Sequence, residues 1–367
     1  MTHPTAMRRN RTTSALVLLL AAFALAACAN QDDAVDTSQS GAQTTQATAQ
    51  PTPADEPGLG ASAGVVTPPP QAAPEQSAVA RAESFRSAGD LDRALIEFER
   101  AIAINPELTT AYVGAGQIYR ERGDLPAAES LFRELTQRAP AEVDGHYNLG
   151  LTLQLMRRLT EAVRSYLRAL SINPAHFESN LNLATVYLDL SEPAQAAPYA
   201  ARAVQLRPAS AEARANLAGA SAALGDHERA VIEYQQAAEL APLTSELLLG
   251  LADSLGRLGR HGEMLGTLQE AARLEETAPV FERMGSARFH LRQYEASLAS
   301  FQRAIELDPT YYPALNGIAV NQLNRFLWSG QRDTAAIQAA TGALRRSLQL
   351  RPDQPRILQL LDRYGGR

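Results

Sequence analysis

The chain has 367 residues, a formal charge of −6 and 45% hydrophobic residues. All 34 basic residues are arginine, and the absence of lysine excludes a phosphate-loop lysine, a Schiff-base lysine and a Ser-Lys dyad. Net acidity without a basic run gives no electrostatic footprint for nucleic acid, and a single cysteine excludes an intrachain disulfide.

Residues 1–27 carry the pattern of a secretory signal. Arg8, Arg9 and Arg11 form a positive start, and Ala15 to Ala24 an apolar core too short to span a bilayer. The paired arginines are followed by Asn10, Arg11 and Thr12, which departs from the twin-arginine pattern. Leu25-Ala26-Ala27-Cys28 resembles the lipobox of bacterial lipoproteins, with cleavage before the cysteine. That resemblance implies a diacylglycerol thioether and an N-acyl chain on Cys28, an anchor far firmer than one acyl chain supplies. Ala29 follows in place of the aspartate that retains lipoproteins at the inner membrane in enterobacteria, which implies the periplasmic face of the outer membrane. An incidental cysteine after an ordinary signal peptide is the alternative.

Residues 28–74 join this segment to the rest. From Ala29 onward they are rich in Gln, Thr, Ala, Ser, Pro and Gly, with five acidic residues, no basic one and too few large apolar residues for a core. The composition predicts a disordered tether with a reach of roughly 40 Å. Gly58, Gly60 and Gly64 lack the flanking strand and helix that a nucleotide loop needs.

Residues 75–352 are periodic. Pro106, Pro140, Pro174, Pro208 and Pro242 follow one another at intervals of 34, each closing two amphipathic helical patterns. A small column runs through the first helix of each pair: Ala82, Gly116, Gly150, Ala184, Ala218, Ala252, Gly285 and Ala319. Ala94, Ala128, Ala162, Ala196 and Ala230 form a second column, and Phe98, Phe132, Tyr166, Ala200 and Tyr234 stand four residues beyond it. A fourth column is Ala101, Leu135, Ala169, Ala203 and Ala237. Small residues allow two antiparallel helices to approach closely, and the aromatic fills the gap toward the next pair.

This arrangement resembles the tetratricopeptide repeat, in which a bulky residue, L-G and Y precede A, F and a closing P. The resemblance implies an all-α right-handed superhelix of eight helix pairs, with units beginning near residues 75, 109, 143, 177, 211, 245, 278 and 312. Residues 353–367 supply a capping helix near Gln354 to Tyr364 and a tail. Three departures stand out. The sixth unit is one residue short, with Met264 in place of the small alanine. The eighth carries nine extra residues around Phe326 to Asp333, including the only tryptophan, Trp328. Pro198 falls inside a predicted helix and is expected to kink it.

No catalytic constellation, metal-ligand spacing or cofactor motif is present, and a non-enzyme is expected. His227 and His261 share an inter-helix position in adjacent units and read as surface turn residues. An enzyme site in the Trp328 insertion is a remote alternative. The informative set is Asn148, Asn182 and Asn216, each at the sixth position of its unit. By resemblance that position lies on the concave face, where an amide can bond a peptide backbone as donor and acceptor; a purely structural role is equally consistent. Tyr147, Leu151, Leu155, Leu181 and Leu188 lie beside them as an apolar strip. The basic positions of a carboxylate clamp hold Asp144, Glu178 and Glu212, so a free C-terminal carboxylate is a poor ligand. Mixed charge at Glu83, Arg86, Arg120, Glu121, Glu282, Arg283 and His290 reads as a polar rim. The expected function is a scaffold that grips peptides or helices of other envelope proteins, assisting a pilus, secretion, export or outer-membrane machine. An adaptor for peptidoglycan hydrolases or synthases is the alternative.

Overall fold

The computed structural model describes residues 73–366; the signal segment, Cys28 and almost all of the tether lie outside the described residues. Seventeen helices follow one another, and no strand occurs among the described residues. They are α1 (Pro74–Ser87), α2 (Leu91–Ile104), α3 (Thr109–Glu121), α4 (Leu125–Arg138), α5 (Val143–Leu155), α6 (Leu159–Ile172), α7 (Phe177–Asp189), α8 (Pro193–Leu206), α9 (Ala211–Ala223), α10 (His227–Leu240), α11 (Ser245–Arg257), α12 (His261–Leu274), α13 (Ala278–His290), α14 (Tyr294–Leu307), α15 (Tyr312–Trp328), α16 (Thr334–Leu350) and α17 (Pro355–Tyr364). Each odd helix from α1 to α15 opens a unit and the next even helix closes it. Successive first helices touch, while second helices pack chiefly against the first helices beside them. The array therefore curves with its first helices inside, as an all-α right-handed solenoid.

The small and aromatic columns explain how each pair closes. Phe98, Phe132, Tyr166 and Phe301 are fully buried. A Cβ on Gly116 would sit 2.1 Å from the Phe132 ring, and one on Gly150 would sit 2.8 Å from Tyr166. The same ring also presses on the next unit: a Cβ on Gly114 would meet Phe98 at 2.3 Å, and one on Gly317 would meet Phe301 at 2.3 Å. One aromatic thus fills the space against both neighbouring first helices, a contact that dispersion rewards only if the backbone comes this near. In the sixth unit the roles are exchanged. Met264 replaces the alanine, and Gly256 opposite it leaves room, since a Cβ there would lie 2.9 Å from the Met264 sulfur.

The turn inside each pair repeats as well. Gly89, Gly123, Gly225 and Gly259 have left-handed backbones, and Arg157 and Ser191 occupy the same place in the third and fourth units at φ 60 and 58°. The following amide closes a six-residue ring onto the first helix, as in Asp90 N to Phe85 O and Glu192 N to Tyr187 O. Asp90, Asp124, Asp226 and Asp333 then cap the second helix through a backbone N–H three residues on.

The nine additional residues of the eighth unit mostly lengthen its helix pair: α15 and α16 are 17 residues each, against 13 and 14 in regular units. Trp328 ends α15, 56% exposed, its ring edge-on to Tyr294 at 4.4 Å. Pro198 lies within α8 on its exposed side, together with Ala194, whose carbonyl loses its usual helical donor there. The capping helix is α17, which buries Ile357, Leu360 and Tyr364.

Candidate functional site

The inner face is lined by the first helices, and its polar centre lies in the third to fifth units. Asn148 is 5% exposed. Its Nδ2 donates to the Asp144 carbonyl at 2.9 Å, and its Oδ1 accepts from Arg120 at 3.0 Å, across to the preceding unit. Asn216 also reaches backward, donating to the Leu181 carbonyl at 3.2 Å and to Thr185 Oγ1 at 2.8 Å. Asn182 lies 3.4 Å from the Tyr166 hydroxyl, which itself donates to Gln154 at 2.7 Å. All three amides thus join neighbouring helices. The Oδ1 atoms of Asn182 and Asn216 accept no hydrogen bond among the described residues.

Around this row the apolar strip is open. Leu155 is exposed, and Leu151, Leu181 and Leu188 are half-buried. Tyr147 packs its ring against His176 at 5.2 Å and Tyr166 at 6.1 Å, and burial pushes its hydroxyl above the ordinary phenol range. Arg120 stands at the N-terminal end of the strip. It lies over the Phe132 ring at 5.3 Å, and burial lowers its affinity for the proton. No carboxylate is in ion-pair contact with it among the described residues.

The C-terminal part of the face is built differently. Arg283 grips Asp253 of the preceding first helix at both carboxylate oxygens, at 2.5 and 2.9 Å. Burial works against this guanidinium, but the Asp253 contacts outweigh it and hold the proton more firmly than usual. Glu282, at the position Tyr147 and Leu181 occupy in their units, is 8% exposed rather than part of a rim. Burial pushes its carboxyl up to about 7, with Arg283 lowering and Asp253 raising it.

The histidines are not scattered turn residues alone. His261 stacks on His290 at 4.2 Å with rings 9° from parallel, and burial lowers both. No group of three or more His, Cys, Asp or Glu residues could hold a metal ion among the described residues.

Sequence models of the tetratricopeptide repeat match residues 79–143, 113–177, 181–244 and 278–311, together more than half of the chain. The chain belongs to the tetratricopeptide repeat family. No curated protein matches its sequence. Among solved structures it is similar to the APC/C hetero-tetramer Cut9-Hcn1, at 17% identity and a TM-score of 0.53, over 79% of this chain and 58% of that one. It is also similar to a tetratricopeptide repeat protein from Parabacteroides merdae, at 17% identity and 0.47, over 67% and 98% of the two chains. A third is Pseudomonas aeruginosa pilF, at 17% identity and 0.49, over 55% and 91%. Identities this low speak to the fold alone.

The sixth-position asparagines are legible from spacing; their partners are not. The pairing of Arg120 with Asn148 links residues 28 apart, a distance that is no multiple of the repeat. Glu282 carries no sequence signal of burial, since carboxylates on amphipathic helices ordinarily face solvent.

Proposed function

We propose that this tetratricopeptide protein is a non-catalytic interaction scaffold that receives peptide or helical segments of partner proteins along its concave face. The observation that carries this reading is the open apolar strip of Leu151, Leu155, Leu181 and Leu188 beside unpartnered amide oxygens of Asn182 and Asn216. Such a strip suits an uncharged or apolar stretch, whose backbone N–H groups the amide oxygens would accept. We place the chain at the bacterial envelope, held by lipid on Cys28 at the periplasmic face of the outer membrane, where it assists assembly of a pilus, secretion, export or outer-membrane machine. The lipobox, the apolar core before it and the tether composition support that placement.

Two experiments test the reading. Capture from envelope extract compares Cys28→Ser protein with the same protein carrying Leu155→Glu and Asn182→Ala. Specific partners are lost at unchanged helicity if the strip binds them, and equal recovery removes it as the binding surface. For the anchor, Cys28→Ser is expected to abolish lipid labelling and release the protein from membranes. Continued sedimentation with membranes after carbonate washing would contradict lipidation.

A further inference from the structure

We propose that the concave face at the seventh unit receives a lysine or arginine side chain of a partner polypeptide, with the Glu282 carboxylate as its counter-charge. This rests on the reading of the concave face as the binding surface and names the chemistry of one part of it. Glu282 is more than nine-tenths buried. Its carboxylate makes no hydrogen bond among the described residues, and its nearest cation is Arg283 Nη1 at 4.0 Å. That guanidinium is already held on two atoms by Asp253, and its Nη1 contacts the Pro279 carbonyl at 3.4 Å. With that guanidinium committed elsewhere, the 4.0 Å ion pair leaves the Glu282 carboxylate loosely compensated, and a cation brought in from outside would complete its pairing.

The first helices of the two preceding units carry charge of the same sign. Glu212 and Glu246 stand 34 residues apart at the second positions of the fifth and sixth units, both exposed. Neither is in ion-pair contact among the described residues; Glu212 accepts only from the Ser210 hydroxyl at 2.9 Å. These carboxylates occupy the places where a clamp for carboxylates would need bases. They favour a basic segment and repel an acidic one.

The test uses the full chain and 16-residue peptides selected on it from a random library, measured by fluorescence anisotropy. The selected peptides are expected to share a lysine or arginine, and replacing it with norleucine should weaken binding at least tenfold. Glu282→Gln should cause a similar loss while leaving melting unchanged or raised, and Glu282→Asp should retain part of the affinity. Gly219→Phe serves as the control for the groove, because a Cβ there meets neighbours only at 3.7 Å and its ring would project into the face. If Gly219→Phe abolishes binding but Glu282→Gln changes it less than twofold, the cation site is wrong and the groove stands. The cation site is equally wrong if groove-dependent peptides lack a basic residue. If no selected peptide responds to Gly219→Phe, both the groove and the cation site are overturned.

Discussion

Two half-buried arginines on the inner face, Arg120 and Arg283, have opposite fates. Arg120 has an amide and an aromatic ring for partners and no carboxylate in contact, whereas Arg283 is held on two atoms by Asp253 and reaches Glu282 only at 4.0 Å. The scaffold beneath them is the same: a glycine in the first helix against an aromatic of the second, Gly116 with Phe132 and Gly285 with Phe301. Packing is therefore set by the repeat, while groove charge is set by single residues free to differ between units. That is why a repeat family can keep one fold and change its partners.

The sharpest way to expose the difference is pH. Glu282 has its folded pKa raised from an ordinary value of 4.5 to about 7, facing Arg283 on its own helix and Asp253 on α11. The folded protein holds that proton more tightly than the unfolded chain, so the native state is favoured most below the unfolded value. Stability should fall as pH rises from that value through about 7, by about 3 kcal/mol in total. Glu282→Gln should remove this slope and be the more stable protein at pH 8. Denaturant melts of both proteins from pH 5 to 8 measure it, and parallel profiles would show that Glu282 is not buried. No corresponding slope is expected from the Arg120 region over that range.

Overpacking one half should leave the other standing. Ala162 is fully buried in the third unit, and Ala162→Leu forces three heavy atoms into a close helix contact at about 1–3 kcal/mol. In a nearest-neighbour array the loss stays local, so amide exchange should rise in the second to fourth units and not in the sixth to eighth. Trp328 is the only tryptophan and lies in the eighth unit, so its fluorescence reports the distant half separately. A loss spread evenly over both halves would contradict the array.

Within the N-terminal half, the three asparagines should separate. Asn148→Ala leaves the half-buried Arg120 guanidinium without its amide and should cost about 1–3 kcal/mol. Asn182→Ala removes a 3.4 Å contact and should cost less than half as much. Thermal melts of the two variants test the ranking, and a reversed order would mean that Arg120 draws little from Asn148.

What can be read from sequence follows from what each feature depends on. The proline interval, the small columns and the aromatic column are local and repeat, so they appear as spacing, and the capping helix at Pro355–Tyr364 forms within a residue of its expected place. The asparagine row is visible in the same way, but its bonds run to Arg120, Leu181 and Thr185 on preceding helices, whose juxtaposition spacing does not reveal. Glu282 reads as rim from its charge alone, because its burial depends on how neighbouring helices pack around it. The left-handed column is obscured by substitution, since Gly89, Gly123, Gly225 and Gly259 are interrupted by Arg157 and Ser191.

That interruption supplies the smallest effect. Ser191 holds φ 58°, where a Cβ crowds the following carbonyl at roughly 1–2 kcal/mol, whereas glycine adopts this backbone freely. Against this, glycine gives the unfolded chain more freedom, worth about 0.4–1 kcal/mol in the opposite direction. Ser191→Gly should therefore raise stability by about 0.5–1 kcal/mol, and no hydrogen bond of the serine side chain among the described residues is lost. Arg157→Gly relieves the same strain but breaks the 3.0 Å contact with Asp189, an exposed pair worth little, so a similar or slightly smaller gain is expected. Both should leave peptide binding unchanged, because the turn lies at the edge of the array, away from Asn182 and Glu282. A destabilised Ser191→Gly would show that the fourth unit closes on something other than the six-residue ring from Glu192 to Tyr187.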